Sequence, residues 1–325
     1  MTSIAWGILA PGNIASTFAT ALAGSAGGHL EAVAGRDHGR AQAFAEQHGA
    51  RRAHASVDAL CADTAVQAIY VASPHPYHHA MATAALNAGK AVLVEKPICM
   101  DQAQCAELVA LARQQGCFLM EAMWTRFLPI MERMRAWIAA GHIGEPRLLQ
   151  ASFGFRCGGD PEHRLLNKAL GGGALLDVGV YPLALALDVF QAEAELVSAA
   201  AHLGASGVDE QTAICLRFPG GGLAVLDCAV RTTTEHRAVI YGTEGRIDIP
   251  APFWRGTQIR CLAADGSERD SLDQEHAVNG YEYQIQAVHA ALAAGQGEEP
   301  RCSHADSLAL LGLCDQIRAQ IGLTY

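Results

Sequence analysis

A lysine at the end of a short apolar run is the residue in this sequence most suited to chemistry. Residues 91–94 are apolar and are followed directly by Glu95, Lys96 and Pro97. The run is too short for a helix and does not alternate, so it predicts a strand buried on both faces of a parallel sheet. Ligands bind just beyond the carboxyl ends of such strands, and Pro97 keeps the backbone at Lys96 out of the helical region. Lys96 is therefore expected to reach a ligand, although a solvated lysine at a strand end fits the same pattern.

An acid and a phenol lie one helical turn apart in the second half of the chain. Glycines 171–173 precede an apolar run that contains Asp177 and Tyr181. A helix beginning at Ala174 would place these two residues at positions i and i+4, where they are neighbours on one face. The three glycines would let the backbone approach a ligand or cofactor closely. Asp177 and Tyr181 form a candidate acid–base pair, and the alternative is a surface acid beside a buried aromatic residue.

A strand, a glycine turn and a helix open the chain. The pattern predicts the strand at residues 4–10 and the helix at residues 14–23. The dinucleotide fingerprint G-x-G-x-x-G/A is matched by Gly12 and Ala15, whereas Ala10 departs from it, which is tolerable if φ at Ala10 is negative. Gly12 would let the backbone approach a pyrophosphate, and the helix amino end would supply free N–H groups. A generic turn between a strand and a helix fits equally well. The cofactor contacts expected here are Ala10, Gly12, Asn13 and Ile14.

The end of the next predicted strand, residues 30–34, bears on the choice of cofactor. An NAD site usually has a carboxylate there for the ribose 2′-hydroxyl, whereas an NADP site needs room and an arginine for the 2′-phosphate. Here Gly35 and Arg36 follow the strand, and the guanidinium can bind phosphate through two hydrogen bonds or stack on adenine. Asp37 is interpreted as the cap of the following helix. These residues favour NADP over NAD.

Histidines follow another apolar strand, residues 68–72. A metal site among His75, His78 and His79 is not expected, because no acid or cysteine has suitable spacing and adjacent residues point apart on a helix. His75 and His78 are instead predicted to line the nicotinamide pocket. The cofactor-binding residues predicted at these strand ends are Ser73, Pro74, His75, His78, Glu95 and Lys96.

The elements around these residues divide the chain into two regions. Strands and helices alternate through about residue 122, which predicts a parallel, doubly wound sheet of Rossmann type. Beyond residue 129 strands dominate and are joined by glycine-rich turns, which predicts a large, mostly antiparallel open sheet. The expected fold is α/β, with a dinucleotide-binding Rossmann domain at residues 1–122 and an α+β domain for substrate binding and dimerisation at residues 123–325.

The composition argues against several classes of partner. The 325 residues carry a formal net charge of -10, and no run is rich in lysine or arginine. Neither nucleic acid nor an anionic membrane is therefore expected as a partner. The amino end does not have the pattern of a signal peptide or a membrane span. Ten scattered cysteines have no C-x-x-C spacing, so reduced thiols in a cytoplasmic metabolic protein are expected.

Several of these stretches together resemble the glucose-fructose oxidoreductase / inositol dehydrogenase / MocA family. The sequence Glu95-Lys96-Pro97 after a buried strand is that family's most specific signature, and the resemblance covers nearly the whole chain. Tyr181 stands where many members have histidine. The sequence is therefore most similar to the branch of dimeric dihydrodiol dehydrogenases and NADP-dependent D-xylose dehydrogenases. The stretches that carry the resemblance are residues 10–15, 35–36, 95–97, 121–127 and 171–182.

The resemblance implies that Lys96 and Tyr181 are catalytic and that NADP lies over the Rossmann domain. The expected reaction transfers a hydride between NADP and a hydroxyl of an aldose such as D-xylose or of a cyclic vicinal diol such as a trans-dihydrodiol. Tyr181 would act as the base. A lysine ammonium about 4 Å from the phenolate, at an effective dielectric constant near 20, would stabilise it by about 4 kcal/mol, which brings the pKa of a phenol from about 10 to near 7. Asp177 would bind a substrate hydroxyl. Further candidates for substrate binding are Arg126, Phe155, Arg156 and His163.

Two other functions stay open at this point. A cofactor-sensing regulatory protein could keep this architecture without turnover, and nicotinamide absorbance with a panel of sugars would distinguish it. An NAD-dependent glycosidase on the same fold would hydrolyse a chromogenic glycoside without net reduction of added cofactor. For assembly, a homodimer or a higher homo-oligomer is expected, because strands of the second domain offer apolar residues on both faces of their sheet.

Overall fold

The computed structural model describes residues 3–160 and 162–325, which form two compact units. The first unit contains the chain up to Trp124 together with His276–Leu308. The second contains Thr125–Glu275 together with Ala309–Tyr325. The sequence predicted two continuous domains, residues 1–122 and 123–325. In the structure, the segment His276–Leu308 belongs to the first unit instead. Periodicity shows that this segment is helical and does not show which sheet it covers.

A parallel sheet forms the centre of the first unit. Its strands are β1 (Ile4–Leu9), β2 (Gly28–Ala34), β3 (Arg52–His54), β4 (Ala68–Val71), β5 (Ala91–Glu95) and β6 (Leu119–Ala122). Its helices between these strands are α1 (Asn13–Ala23), α2 (His38–His48), α3 (Val57–Cys61), α4 (His78–Asn87) and α5 (Gln102–Gln115). The strand order is β3-β2-β1-β4-β5-β6, and neighbouring strands are parallel. The predicted doubly wound Rossmann domain is confirmed.

Local sequence explains how these elements begin and end. Strand β4 is a continuous apolar run that is fully buried, as a strand covered on both faces must be. Asp37 and Asp101 cap α2 and α5 by accepting a hydrogen bond from a backbone N–H of the first turn. The same helices end at Gly49 and Gly116 in the left-handed conformation. Because the strands are parallel, the loops that follow β1, β2, β4 and β5 emerge at one edge of the sheet.

A mostly antiparallel sheet forms the second unit. Its strands are β7 (Pro146–Gly154), β8 (Leu196–Leu203), β9 (Asp209–Arg217), β10 (Leu223–Ala229), β11 (Ala238–Gly242), β12 (Gly245–Ile249), β13 (Gln258–Ala263) and β14 (Glu268–Asp273), and its helices are α6 (Pro129–Ala139) and α7 (Val180–Phe190). The strand order is β14-β13-β12-β11-β7-β10-β9-β8. Strands β7 and β10 run parallel, and the other neighbouring strands are antiparallel. The predicted sheet type is confirmed.

Two further helices follow β14. Helix α8 (Tyr281–Ala293) packs against α1 within the first unit. Helix α9 (His304–Ile321) begins in the first unit and continues in the second.

Helix α7 is the buried helix of the second unit. It packs against β7 and β10, and its residues from Val180 to Val189 are buried. The segment Lys168–Phe190 is long and apolar enough to cross a membrane, but 94% of its apolar window is buried inside the protein. The core helix of a globular domain has the same length and composition, so this segment is weak evidence for a membrane span.

The sequence missed or misread some elements. It did not predict β3, α3 or β14; the first two are short, and four of the six residues of β14 are charged, which lowers β propensity. The continuous α-helix expected from Ala174 is also wrong. Residues Leu175–Gly179 form a π-helical turn before α7 begins. Gly179 packs so closely on β10 that an added Cβ would lie 2.9 Å from the Cys228 sulfur. Asp177 and Tyr181 therefore lie on two different helical forms, not at i and i+4 of one α-helix.

Candidate active site

The carboxyl end of β5 presents Lys96 from a closely packed base. Glu95 is only 4% exposed, and its carboxylate accepts hydrogen bonds from the Tyr70 hydroxyl and from the Lys96 backbone N–H. Burial raises the pKa of Glu95, and the positive charge of Lys96 opposes that rise. Lys96 itself is half-buried and is joined to Pro97 by a cis peptide bond. Glu95 thus faces inward and fixes the strand end from which Lys96 projects.

His78 connects the loops that follow β4 and β5. Its Nε2 lies 2.7 Å from the carbonyl oxygen of Ser73, and its Nδ1 lies 2.7 Å from that of Pro97. The ring is fully buried, which lowers the pKa of His78 to about 4, and the nearby charge of Lys96 acts in the same direction. His75 is also buried, with its ring centroid 5.7 Å from that of His78. His78 therefore lies between two backbone segments, with a carbonyl oxygen 2.7 Å from each ring nitrogen, and the single N–H of the neutral ring donates to one of them.

The turn after β1 has room for a phosphate group. Gly12 precedes α1 in an extended conformation, and no side chain caps the free N–H groups of the first helical turn, which contains Asn13 and Ile14. A Cβ added to Gly12 would have only the Ala10 carbonyl oxygen within reach, at 4.0 Å. Open space above exposed N–H donors at a helix amino end fits a pyrophosphate. These residues therefore fit a bound dinucleotide.

The condition stated for Ala10, a negative φ, is not met in the structure. Ala10 has φ of +65°, in the left-handed region that disfavours residues with a Cβ. The chain must turn there from β1 into α1, and the first glycine of the dinucleotide fingerprint occupies this position for the same reason. Ala10 adopts the backbone of the fingerprint at a conformational cost.

The loop after β2 places Arg36 at the surface. Gly35 passes close to the β1 turn, since an added Cβ would lie 3.0 Å from Cδ of Pro11. Asp37 accepts a hydrogen bond from the Arg40 backbone N–H at 3.1 Å, which agrees with the capping role inferred from the sequence. Arg36 is exposed, and its Cζ lies 5.8 Å from the ring centroid of Tyr77. The loop after β2 therefore carries an exposed cation, Arg36, and an acid, Asp37, that caps the next helix.

In the second unit, Asp177 and Tyr181 are both buried. Asp177 is 4% exposed and accepts a hydrogen bond from Nη1 of Arg164 at 2.9 Å. Tyr181 is 7% exposed, and its ring centroid lies 5.4 Å from that of Phe153, which stacks in turn on Trp254 at 3.4 Å. The sequence reasoning named neither Phe153 nor Trp254. The alternation of buried residues along β7 would have placed Phe153 on the inner face, but only the fold brings it to Tyr181.

Two of the glycines before the π-helical turn, Gly172 and Gly173, lie against other parts of the protein. An added Cβ at Gly172 would lie 2.7 Å from the Leu165 carbonyl oxygen, and one at Gly173 would lie 2.2 Å from Oδ1 of Asp209. Asp209 is fully buried and accepts hydrogen bonds from the Leu175 N–H and the Thr212 hydroxyl, both at 2.8 Å. Burial raises the pKa of Asp209 to about 6. This buried acid, which the sequence reasoning also missed, anchors the start of the turn that carries Asp177.

Arg126 lies beside the same helix. Tyr181, Arg126 and Asp188 line a small cavity of about 10 Å³. The Arg126 guanidinium lies 3.5 Å from the Asp188 carboxylate, which Arg135 also contacts at 2.7 Å. Arg126 is thus a buried, ion-paired residue next to Tyr181.

The remaining substrate candidates are more exposed. Phe155 is half-buried, with its ring centroid 6.3 Å from that of Phe153. Arg156 is exposed and forms an isolated β-bridge with Arg231. His163 is half-buried in the loop before Lys168, where its Nδ1 accepts a hydrogen bond from the Leu165 N–H.

Comparisons with known proteins cover both units. Residues 4–123 match the model of the oxidoreductase family with an NAD-binding Rossmann fold, and residues 131–248 match that of the GFO/IDH/MocA C-terminal domain. The trans-1,2-dihydrobenzene-1,2-diol dehydrogenase of Xenopus tropicalis is 36% identical over 331 residues, covering 98% of each chain. The human enzyme of the same name is 32% identical over 334 residues, covering 99% of this chain and 98% of the other.

Solved structures of oxidoreductases superimpose on nearly the whole chain. A 3-ketoreductase from Actinomadura kijaniata, in complex with NADP and TDP-benzene, superimposes with a TM-score of 0.89 at 28% identity over 98% of each chain. An aldose-aldose oxidoreductase from Caulobacter crescentus superimposes with a TM-score of 0.88 at 24% identity, which shows a shared fold.

Proposed function

This chain belongs to the GFO/IDH/MocA family of oxidoreductases and has a Rossmann domain that binds a nicotinamide dinucleotide, and from that premise we propose that it is an NADP-dependent dehydrogenase of cyclic vicinal diols or sugars. The observation that carries this proposal is the similarity over the whole chain to enzymes named for oxidation of a cyclic trans-diol. The stack of the buried Phe153 on the half-buried Trp254, beside Tyr181, supports a cyclic substrate.

The residues that would hold the cofactor lie in the first unit. The N–H groups after Gly12 would bind the pyrophosphate, and Arg36 would bind the 2′-phosphate of NADP. His75, Pro74 and Ser73 would lie along the nicotinamide half. When bound, the nicotinamide exchanges a hydride with the carbon that carries the reacting hydroxyl.

We assign proton transfer to Tyr181, with Lys96 as its electrostatic partner. Tyr181 takes the hydroxyl proton during oxidation and returns it during reduction, and the ammonium of Lys96 favours the phenolate. Asp177 accepts a hydrogen bond from a neighbouring substrate hydroxyl, and its ion pair with Arg164 holds the carboxylate in place.

A substrate panel tests the reaction. Nicotinamide absorbance should rise when the protein is mixed with NADP and either trans-dihydrodiols or aldoses, and inositols provide a third class of cyclic polyol. The trans-dihydrodiols are expected to give the highest kcat/KM. No reduction of NADP or NAD with any of the three classes would contradict the proposal.

We also propose that the protein is a cytoplasmic homodimer joined through the outer face of the second sheet. Leu223, Val225 and Tyr241 are 40%, 49% and 36% exposed on its strands, next to a shallow cavity of about 410 Å³. Covering these side chains with a second copy would remove apolar surface from water. The ten cysteines are free thiols, as expected in a reducing compartment.

Light scattering at micromolar concentration tests this assembly. The wild-type chain should have twice the monomer mass, and Val225→Glu should shift it toward the monomer. Ala43→Glu, at an exposed position of α2, serves as the control and should leave the mass unchanged. A wild-type monomer would contradict the proposal.

A further inference from the structure

Two exposed side chains meet across the glycine turn of the first unit. Arg36 follows β2, and Tyr77 ends a short helical turn, His75–Tyr77, that follows β4. Strands β2 and β4 are the two neighbours of β1 in the sheet. The loops that carry Arg36 and Tyr77 therefore emerge on opposite sides of the turn that contains Gly12.

The contact between them has the geometry of a cation–π interaction. The Arg36 Cζ lies 5.8 Å from the Tyr77 ring centroid, within the distance at which a guanidinium is attracted to an aromatic face. Tyr77 is 39% exposed, and Arg36 is exposed too, so neither side chain is held there by core packing. In the part of the chain that the structure describes, no carboxylate forms an ion pair with Arg36; the nearby Asp37 carboxylate caps α2.

We propose that Tyr77 is a positioning residue that holds Arg36 ready to bind the 2′-phosphate of the cofactor's adenosine, an inference that rests on the proposed use of NADP. A guanidinium stacked on a ring uses its flat face, whereas its N–H donors point outward in its plane. The contact with Tyr77 engages the positive charge of Arg36 and provides no oxygen acceptor over the ring face, so the N–H donors stay available for two parallel hydrogen bonds to phosphate.

The advantage of this arrangement is entropic. A free arginine side chain has many rotamers, and a phosphate that binds it must restrict them. Contact with Tyr77 restricts Arg36 before the ligand arrives, so less freedom is lost on binding. The effect should be confined to ligands with a 2′-phosphate, because NAD offers Arg36 no phosphate at that position.

Binding of nucleotide fragments tests this inference without any turnover. The ligand 2′,5′-ADP carries the 2′-phosphate, and 5′-AMP lacks it, while neither has a nicotinamide. In calorimetric titrations of the full chain, Tyr77→Leu should weaken 2′,5′-ADP about 2- to 5-fold, the range of an exposed cation–π contact. Binding of 5′-AMP should change by less. Tyr77→Phe keeps the ring face and should bind both ligands as the wild type does.

Two more variants establish that Tyr77 acts through Arg36. Tyr77→Leu added to Arg36→Ala should have no further effect on 2′,5′-ADP, because the residue it positions is gone. Arg51→Ala removes an exposed arginine of the same unit that pairs with Glu31, and it should leave the preference for 2′,5′-ADP over 5′-AMP intact.

The possible results of these titrations distinguish the role of Tyr77 from the use of NADP. If the wild type binds 2′,5′-ADP no better than 5′-AMP, the NADP assignment is wrong and the inference falls with it. If the wild type prefers 2′,5′-ADP and Tyr77→Leu keeps the full preference, the assignment stands and the role of Tyr77 is overturned. An equal loss in Tyr77→Phe and Tyr77→Leu would also overturn it, because the ring face would not be what matters.

Discussion

The two regions that carry candidate chemistry are built in opposite ways. In the first unit, the candidate groups lie in loops at the end of a parallel sheet, where Gly12 faces open space and Arg36 is exposed. In the second unit, Asp177 and Tyr181 are 4% and 7% exposed; Asp177 lies in the buried π-helical turn, and Tyr181 lies in α7, which is buried from Val180 to Val189. A short sequence motif can determine the conformation of a loop at a sheet edge. A buried helix, in contrast, is positioned by residues from many parts of the chain.

The two regions should therefore respond differently to substitution. Removing an exposed side chain such as Arg36 from the first region should remove one contact with a ligand and little else. Removing one from the second region should disturb neighbours as well, since Tyr181 touches Phe153 and the turn before it rests on Asp209.

The largest effect is expected from Tyr181→Phe, which deletes the proposed base and keeps the ring in its packing. Turnover should fall by about two to four orders of magnitude, the usual contribution of a general base. Cofactor affinity should stay unchanged, because no cofactor contact is assigned to this hydroxyl. Steady-state kinetics and cofactor titration measure the two quantities. Tyr241→Phe, at a tyrosine 36% exposed in the same unit, is the matched control and should be silent.

Lys96→Met tests whether Lys96 of the first region and Tyr181 of the second act as one catalytic unit. Turnover should fall, and in the oxidation direction the apparent pKa of the pH–rate profile should rise, because the phenolate has lost a neighbouring cation. The double variant should be little worse than the poorer single one, as residues of one catalytic unit are non-additive. A Tyr181→Phe enzyme with normal turnover would show instead that Lys96 is the base and that the tyrosine serves packing.

The next effect concerns stability in the second unit and comes from Asp209. Burial raises the pKa of Asp209 to about 6 in the folded protein, above its value of about 3.8 when solvated. The folded state therefore holds this proton more tightly, and the contribution of Asp209 to stability is full below about pH 4 and is lost as the pH rises through about 6. The loss should be on the order of 3 kcal/mol.

Chemical denaturation at several pH values measures this loss. Asp209→Asn cannot ionise, so the difference in unfolding free energy between the wild type and this variant should favour the wild type more at pH 4 than at pH 7. Other groups titrate in both proteins and cancel in the difference. A difference independent of pH would mean that Asp209 stays ionised in the fold.

The contrast between the two regions also explains how much the sequence could predict. Buried runs, glycine turns and cap residues are local, so the strands around Lys96 and the cap at Asp37 were predicted close to their true positions. The π-helical turn was not, because it depends on Gly179 meeting β10, which lies far along the chain. Phe153 and Asp209 were missed for the same reason: the fold of distant strands brings Phe153 to α7 and Asp209 to the turn before it.

A smaller effect is expected from Arg36→Ala in the first unit. Losing a charge-assisted contact with two hydrogen bonds to the 2′-phosphate should cost on the order of 1.5 to 3 kcal/mol of NADP binding. NAD should bind as before. The ratio of kcat/KM for the two cofactors measures the change, and an unchanged ratio would mean that Arg36 does not select the cofactor.

The smallest effect is expected at Ala10, where the loop of the first unit carries a conformational cost. Its φ of +65° is disfavoured for a residue with a Cβ by roughly 1 to 2 kcal/mol, and glycine has no such penalty. Glycine also gains more freedom in the unfolded chain, so Ala10→Gly should stabilise the protein by about 1 kcal/mol or less. Ala43→Gly, at an exposed site inside α2, is the matched control and should destabilise by about 1 kcal/mol, because the same exchange is unfavourable in a helix. Urea denaturation of both variants measures the opposite signs. If both exchanges destabilise, the turn after β1 tolerates its alanine without strain, and this loop is as dependent on its packing as the buried helix of the second unit.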